Sequence, residues 1–246
     1  MKPKKSYGWV PDVPDQRDYA YGAARPRMKL PPSIDLRKGC SVVEDQGALG
    51  SCTAQALAGH LEFLDNLGDN QYTDVSRLLI YYNERRLRGT VLSDSGAAIR
   101  DGIKTLAKLG SCPEKAWPYV IAQFTDSPPT VCYTAALKNR IVSYHRLHAI
   151  NDMLTCLTDG YPFVFGFTVY ESFESPQVTR TGAVPMPAKS EKVLGGHAVM
   201  AVGFDQKTKR FLARNSWGIK WGQKGYGTMP FTYLESLARD FWTIRK

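Results

Sequence analysis

The chain has 246 residues, 43% apolar and 22% charged, with 21 Gly and 15 Pro; that is enough for one large domain or two small lobes around a cleft, and too apolar for a disordered chain. Its 32 basic against 23 acidic residues give +9, but the excess is scattered, and its densest cluster, Lys2-Pro3-Lys4-Lys5, sits at the very start. No element interleaves basic and aromatic residues, so a nucleic-acid platform is not expected, and no apolar run reaches the roughly 18 residues of a membrane span.

Residues 1–32 carry no helical period and end in Leu30-Pro31-Pro32. They read as an extended arm or prosegment rather than a core element. No apolar stretch of signal-peptide length follows the basic start, so the chain reads as cytoplasmic, or as secreted after removal of a signal. From Ser51, the residues Ala54, Leu57, Ala58, Leu61 and Leu64 recur at helical spacing and Gly68 marks a stop. The same spacing predicts helices over about 75–87, 96–109 and 151–159. Beyond these the pattern changes. Residues 163–169, 197–204, 210–214 and 226–229 read as strands, with a polar turn over 205–209. Helices first and strands second give an α+β protein with two lobes, helical over about 33–140 and β over about 141–246.

Five cysteines are present: Cys40, Cys52, Cys112, Cys132 and Cys156. An odd count leaves one thiol over in an oxidised chain, and if Cys52 is that one, the other four allow three pairings, or equally all are reduced. No CxxC or HxxxH spacing suggests a metal site, and no cofactor is expected. Cys52 follows Gly47-Ala48-Leu49-Gly50-Ser51, a loop feeding a helix. There the helix dipole favours the thiolate, the nucleophilic form. Gln46, on the same loop, is placed to donate to an oxyanion beside the Cys52 N–H. A nucleophile also needs a base and a group that orients the base. His197 follows Gly195-Gly196 and opens an apolar strand, and Asn215 lies in Arg214-Asn215-Ser216-Trp217-Gly218. Either alone would pass for a structural residue.

Together these stretches resemble the papain family of cysteine peptidases. Residues 46–52 are similar to that family's oxyanion-glutamine and nucleophile segment. Gly196-His197-Ala198-Val199 is similar to its histidine strand, and residues 215–226 to its asparagine segment with a Gly-rich continuation. The three occur in the family's order. His197 falls at the roughly 130–150-residue distance from the cysteine, and Asn215 slightly beyond it. The resemblance covers about residues 33–246. It implies a helical lobe and an antiparallel, barrel-like β lobe with the active-site cleft between them. It further implies a thiolate–imidazolium pair of Cys52 and His197, with Asn215 orienting the imidazole, Trp217 shielding that bond and Gln46 in the oxyanion hole. Gly96 is the match for the glycine that pairs with substrate backbone. Ala98, Gly166, Ala198 and Gly196 are matched to the substrate-binding walls. The peptide-hydrolysing chain would be a monomer and a zymogen, its arm lying in the cleft. No His-His insertion is present, which favours an endopeptidase.

Two departures stand out. The family usually carries a cysteine three residues before the nucleophile, bonded to the loop that here holds Ser95-Gly96; position 49 is Leu and no cysteine lies in 90–100. The aromatic residue usual after the nucleophile is Thr53. Both are more like microbial or archaeal members than lysosomal cathepsins, and both leave open how the cleft wall is held. Other readings are a papain-fold binding or assembly protein, and a thiol acyltransferase or amidase. The intact Cys52 and the Asn215-Ser216-Trp217-Gly218 segment weigh against these.

Overall fold

A helix buried along most of its length organises the molecule. In α1 (Cys52–Asp69) residues 52–64 are all buried, most of them apolar or small, with Gln55, His60 and Glu62 among them. A helix buried on every side belongs in the interior, and α1 packs on the helical lobe with one side and on the sheet with the other. The structure is a computed structural model and describes residues 6–21, 29–69 and 71–246. The basic cluster at Lys2 to Lys5 lies outside the described residues.

Three further helices complete the helical lobe: α2 (Arg77–Leu87), α3 (Ile99–Lys108) and α4 (Thr130–Ala136). Ser76 caps α2, its hydroxyl accepting the Leu79 N–H at 3.1 Å. α3 crosses close to its neighbours at Gly102, where a Cβ would meet Glu84 Oε1 and Leu57 Cδ1 at 2.3 Å. It starts three residues later than its periodicity suggests. Gly96 sits at φ +68°, and Ala97 spends its backbone groups on the N-terminal arm instead.

The sheet runs β2 (Ser143–Leu147), β7 (Ala238–Arg245), β3 (Phe163–Tyr170), β4 (Val193–Asp205), β5 (Arg210–Arg214) and β6 (Tyr226–Pro230), with β1 (Ser33–Asp35) on the far end of β4. Every pairing is antiparallel. β3 is a nearly unbroken apolar run because it is central and covered on both faces. Its phenylalanines 163, 165 and 167 join Phe173, Phe211, Tyr233 and Phe241 in the β-lobe core. α5 (Ile150–Thr158), α6 (Pro176–Thr181) and α7 (Phe231–Leu237) pack around the sheet.

Strands β1, β2 and β7 and helices α4, α6 and α7 go beyond the elements predicted from sequence. The helices span only one to two turns, too short for a periodicity. α6 did carry local signals: Ser175 caps it, Pro176 opens it and Gly182 closes it at φ +69°. The arm is also more than an extended tail. It is extended, but Trp9 and Tyr21 are buried in the two main hydrophobic clusters. Among the described residues, no helix is long and apolar enough to cross a membrane.

Candidate active site

Cys52 is the first residue of α1, and His197 lies on β4. The two elements meet where the Cys52 sulfur receives the backbone N–H of Ala198, the residue after His197. Asn215 follows β5, which pairs with β4 and so brings the asparagine beside the histidine. His197 Nε2 and Asn215 Oδ1 are 2.8 Å apart. The same Oδ1 accepts the Ser216 backbone N–H at 2.8 Å. That second bond identifies the atom as the amide oxygen, so Nε2 carries the proton and donates it. Nδ1 is then the basic nitrogen. The Trp217 ring lies 5.2 Å from the imidazole centroid; with Phe173 and Phe167 it forms an aromatic wall around the buried His197–Asn215 bond.

Gln46 is fixed from both ends. Its N–H donates to Ser216 O at 2.9 Å, and Ser216 Oγ donates to its Oε1 at 2.6 Å. The amide nitrogen therefore points at Leu49 O (2.9 Å) and Ser6 O (3.2 Å). Gly218 N–H donates to Glu44 O at 2.9 Å, stitching the glutamine loop to the asparagine loop. Tyr119, which the sequence did not single out, donates its hydroxyl to Gln46 O at 3.0 Å and accepts from Ser51 Oγ at 2.5 Å.

A carboxylate stands where the family usually has a disulfide. Asp94 accepts the Gly50 N–H on both oxygens, at 3.0 Å each, and the Tyr81 hydroxyl. Tyr81 Oη in turn accepts the Gly96 N–H at 3.1 Å. The Gly96 loop is thus tied to the nucleophile loop without sulfur. Thr53 fills the place of the expected aromatic residue by donating to the buried Glu84 carboxyl at 2.8 Å.

The arm runs through the same place. Ser6 O meets the Gln46 amide, and the Gly8 N–H donates to the Cys52 sulfur. Gly8 O accepts from Ala97 N–H at 2.7 Å, Trp9 N–H donates to Gly196 O at 2.9 Å and Val10 N–H to Ala97 O at 2.9 Å. Gly8 has room only for hydrogen, since a Cβ there would lie 1.7 Å from Gly50 O. Tyr7 packs on Gly195 and donates to Glu174, its ring 6.1 Å from those of His197 and Trp217. The Trp9 indole covers Gly166 and Gly196, where any side chain would collide with it. Of the residues matched to substrate binding, Gly96, Gly166 and Gly196 thus touch the arm directly. Trp217 stands beside Tyr7, and Ala98 lines a small cavity with Asp12 to Asp15.

Beyond Trp9 the arm is clamped by charge. Asp240, at φ +56°, accepts from Trp9 Nε1 (3.2 Å), Asp12 N–H (2.8 Å) and Arg146 (2.9 Å). Asp12 accepts from Trp242 Nε1 (2.8 Å) and Arg100 N–H (3.1 Å). Asp18 pairs with both Arg100 and Arg146. Burial, then the neighbouring Asp240 charge, pushes the Asp12 carboxyl up to about 6. The arm also reverses one expectation. Cys52 was read as a low-pKa thiol, but here it is fully buried under the arm, and burial pushes it up to about 12 against the N–H groups of Ala198 and Gly8.

The family model described as papain family cysteine protease matches residues 30–233. The chain belongs to the papain family. An uncharacterised peptidase C1-like protein of Acanthamoeba polyphaga mimivirus is 41% identical over 98% of this chain and 87% of its own length. Xylellain, a cysteine protease from Xylella fastidiosa, superposes with TM-score 0.91 at 41% identity, covering 100% of this chain and 98% of that one. Procathepsin L 3 of Tenebrio molitor larval midgut shares the papain fold, with TM-score 0.75 at 17% identity over 100% of this chain and 77% of its own. The helical lobe and antiparallel sheet described above are those of this family, and the chain is a papain-family cysteine protease.

Proposed function

We propose that the chain hydrolyses internal peptide bonds through Cys52 and His197, and that its own arm holds it latent. His197 Nδ1 takes the proton of Cys52, the sulfur attacks the scissile carbonyl, and the oxyanion is met by the Gln46 amide and the Cys52 N–H. The imidazolium protonates the leaving amine; water, deprotonated by the same nitrogen, then releases the acyl group and restores the thiol. The observation that carries this reading is the 2.8 Å His197–Asn215 bond with its oxygen fixed by Ser216, which leaves Nδ1 as the base. Gln46 donating to the Ser6 carbonyl supports the oxyanion role, since that carbonyl stands where a substrate carbonyl would.

In this reading the free edge at Gly96-Ala97 pairs with substrate backbone, as it does with Gly8 and Val10 of the arm. The depression walled by Gly166 and Gly196, filled by Trp9, accepts a large aromatic substrate side chain; Ala98 and Trp217 border the same cleft. Latency follows from the complete burial of Cys52 and His197.

The test is labelling with an epoxysuccinyl thiol-protease inhibitor, comparing the full chain with one starting near Lys29. Fast modification of Cys52 in the shorter chain, lost in His197→Ala, together with cleavage of a fluorogenic peptide blocked at both ends, is the expected result. Equal rates in both chains overturn the latency. A Cys52 that reacts no faster than a free thiol in the shorter chain overturns the mechanism.

A further inference from the structure

We infer that Cys112 and Cys132 are a disulfide-forming pair whose oxidation closes the loop 113–131 at its base. All five cysteines are thiols in the structure, but they are not equivalent. Cys52 lies under the arm, Cys40 faces Leu36 O and Tyr226, and Cys156 faces Tyr161 O inside the β lobe. Cys112 and Cys132, both fully buried, pack together in one small cluster with Leu79 and Ala136, and Cys132 donates its S–H to Ala116 O, 3.4 Å away on the loop between them.

Each sulfur stands on a braced backbone. Ser76 N–H donates to Cys112 O at 2.8 Å, Val75 bridges to Pro113, and Cys132 N–H donates to Pro129 O at 2.9 Å. The loop between them carries Tyr119, the clamp on Gln46 and Ser51, and Phe124, whose carbonyl accepts from Arg85. A bond at its base fixes the support that Tyr119 gives the nucleophile loop.

The chemistry needs a disulfide oxidant such as glutathione disulfide. One thiolate attacks it and expels a glutathione thiolate; the second sulfur then displaces the other glutathione. Two electrons pass to the oxidant, and the two protons end on the released thiols. Both sulfurs are sealed in the folded chain, where burial and the neighbouring thiol push Cys112 up to about 12. The exchange therefore takes place during folding, before the cluster closes.

The experiment uses the full chain carrying Cys52→Ala, so that the nucleophile takes no part. It is refolded with mixed reduced and oxidised glutathione, or with reductant alone, and alkylated under denaturing conditions. Non-reducing peptide mapping should find the Cys112 and Cys132 peptides linked, with Cys40 and Cys156 alkylated. The oxidised form should melt higher by roughly 5–10 °C, and the difference should vanish when Cys112 and Cys132 are both changed to Ala. Alkylation of both residues in the oxidised sample, or linkage of either to another cysteine, overturns the pairing. Linkage without a rise in melting temperature, or a rise that survives the double change, overturns the bracing of the loop.

Discussion

The Trp9 indole N–H donates to the carboxylate of Asp240, 3.2 Å away. The same carboxylate holds the Asp12 N–H and Arg146, so one residue near the C-terminal end of the chain gathers the arm at a buried ring. Trp9→Ala removes this ring from the wall at Gly166 and Gly196. Losing a buried tryptophan costs about 3 kcal/mol or more, on the order of a 100-fold weaker docking. The full-length variant should turn over a fluorogenic peptide at close to the rate of the chain lacking residues 1–28. Continued latency would place the grip elsewhere on the arm.

Acid should tighten the arm rather than release it. The Asp12 carboxyl sits at about 6 when docked, against an ordinary value of 3.8. A docked value raised above the free one means that docking takes up a proton. The contribution is complete below the free value and is lost as pH rises through about 6. It amounts to about 3 kcal/mol at most. Asp240, Arg100, Arg146, Asp18 and Trp242 surround the group, and burial raises Asp240 in the same direction. The ratio of truncated to full-length activity should therefore fall from pH 4 to pH 7, and Asp12→Asn should flatten it. A ratio that climbs over this range would contradict the assignment.

Asp94→Ala deletes the acceptor for Gly50 N–H and Tyr81. Hydrogen bonds to a charged group are each worth about 1.5–3 kcal/mol. The melting temperature should drop by roughly 5–10 °C. The KM for a peptide should rise more than kcat falls, because the Gly96 edge loses its anchor. Unchanged melting would show that the loop is held by other contacts.

Asn215→Ala leaves His197 without its orienting acceptor. In the truncated chain, losing about 2 kcal/mol of positioning corresponds to roughly a 30-fold lower kcat, with KM little altered. Wild-type kcat in this variant would mean that Trp217 and Phe173 alone fix the ring.

The residues proposed as catalytic announce themselves through local signals. Gln46 to Cys52, the glycines before His197 and the run after Asn215 are each contiguous in sequence, and the sheet register then brings β4 beside β5. The residues that hold the site were not legible. Asp94, Tyr81, Tyr119 and Asp240 act across long chain separations on partners that only the fold supplies, and nothing in their neighbouring residues marks them. The cover over Cys52 was not legible for the same reason: its place at a helix N-terminus is local, whereas the arm residues above it are distant in the chain. Short helices such as α4 and α7 lacked enough turns to show a period.

The chain crosses between the lobes at both ends. β1, which precedes the helical lobe, is a strand of the β-lobe sheet, and Lys246, beyond the last strand, pairs with Asp65 on α1. Each half thus carries a strap belonging to the other. Pulling them apart means peeling a strand from the sheet, so heat should dissolve the whole molecule in one cooperative step, and calorimetry should record a single peak.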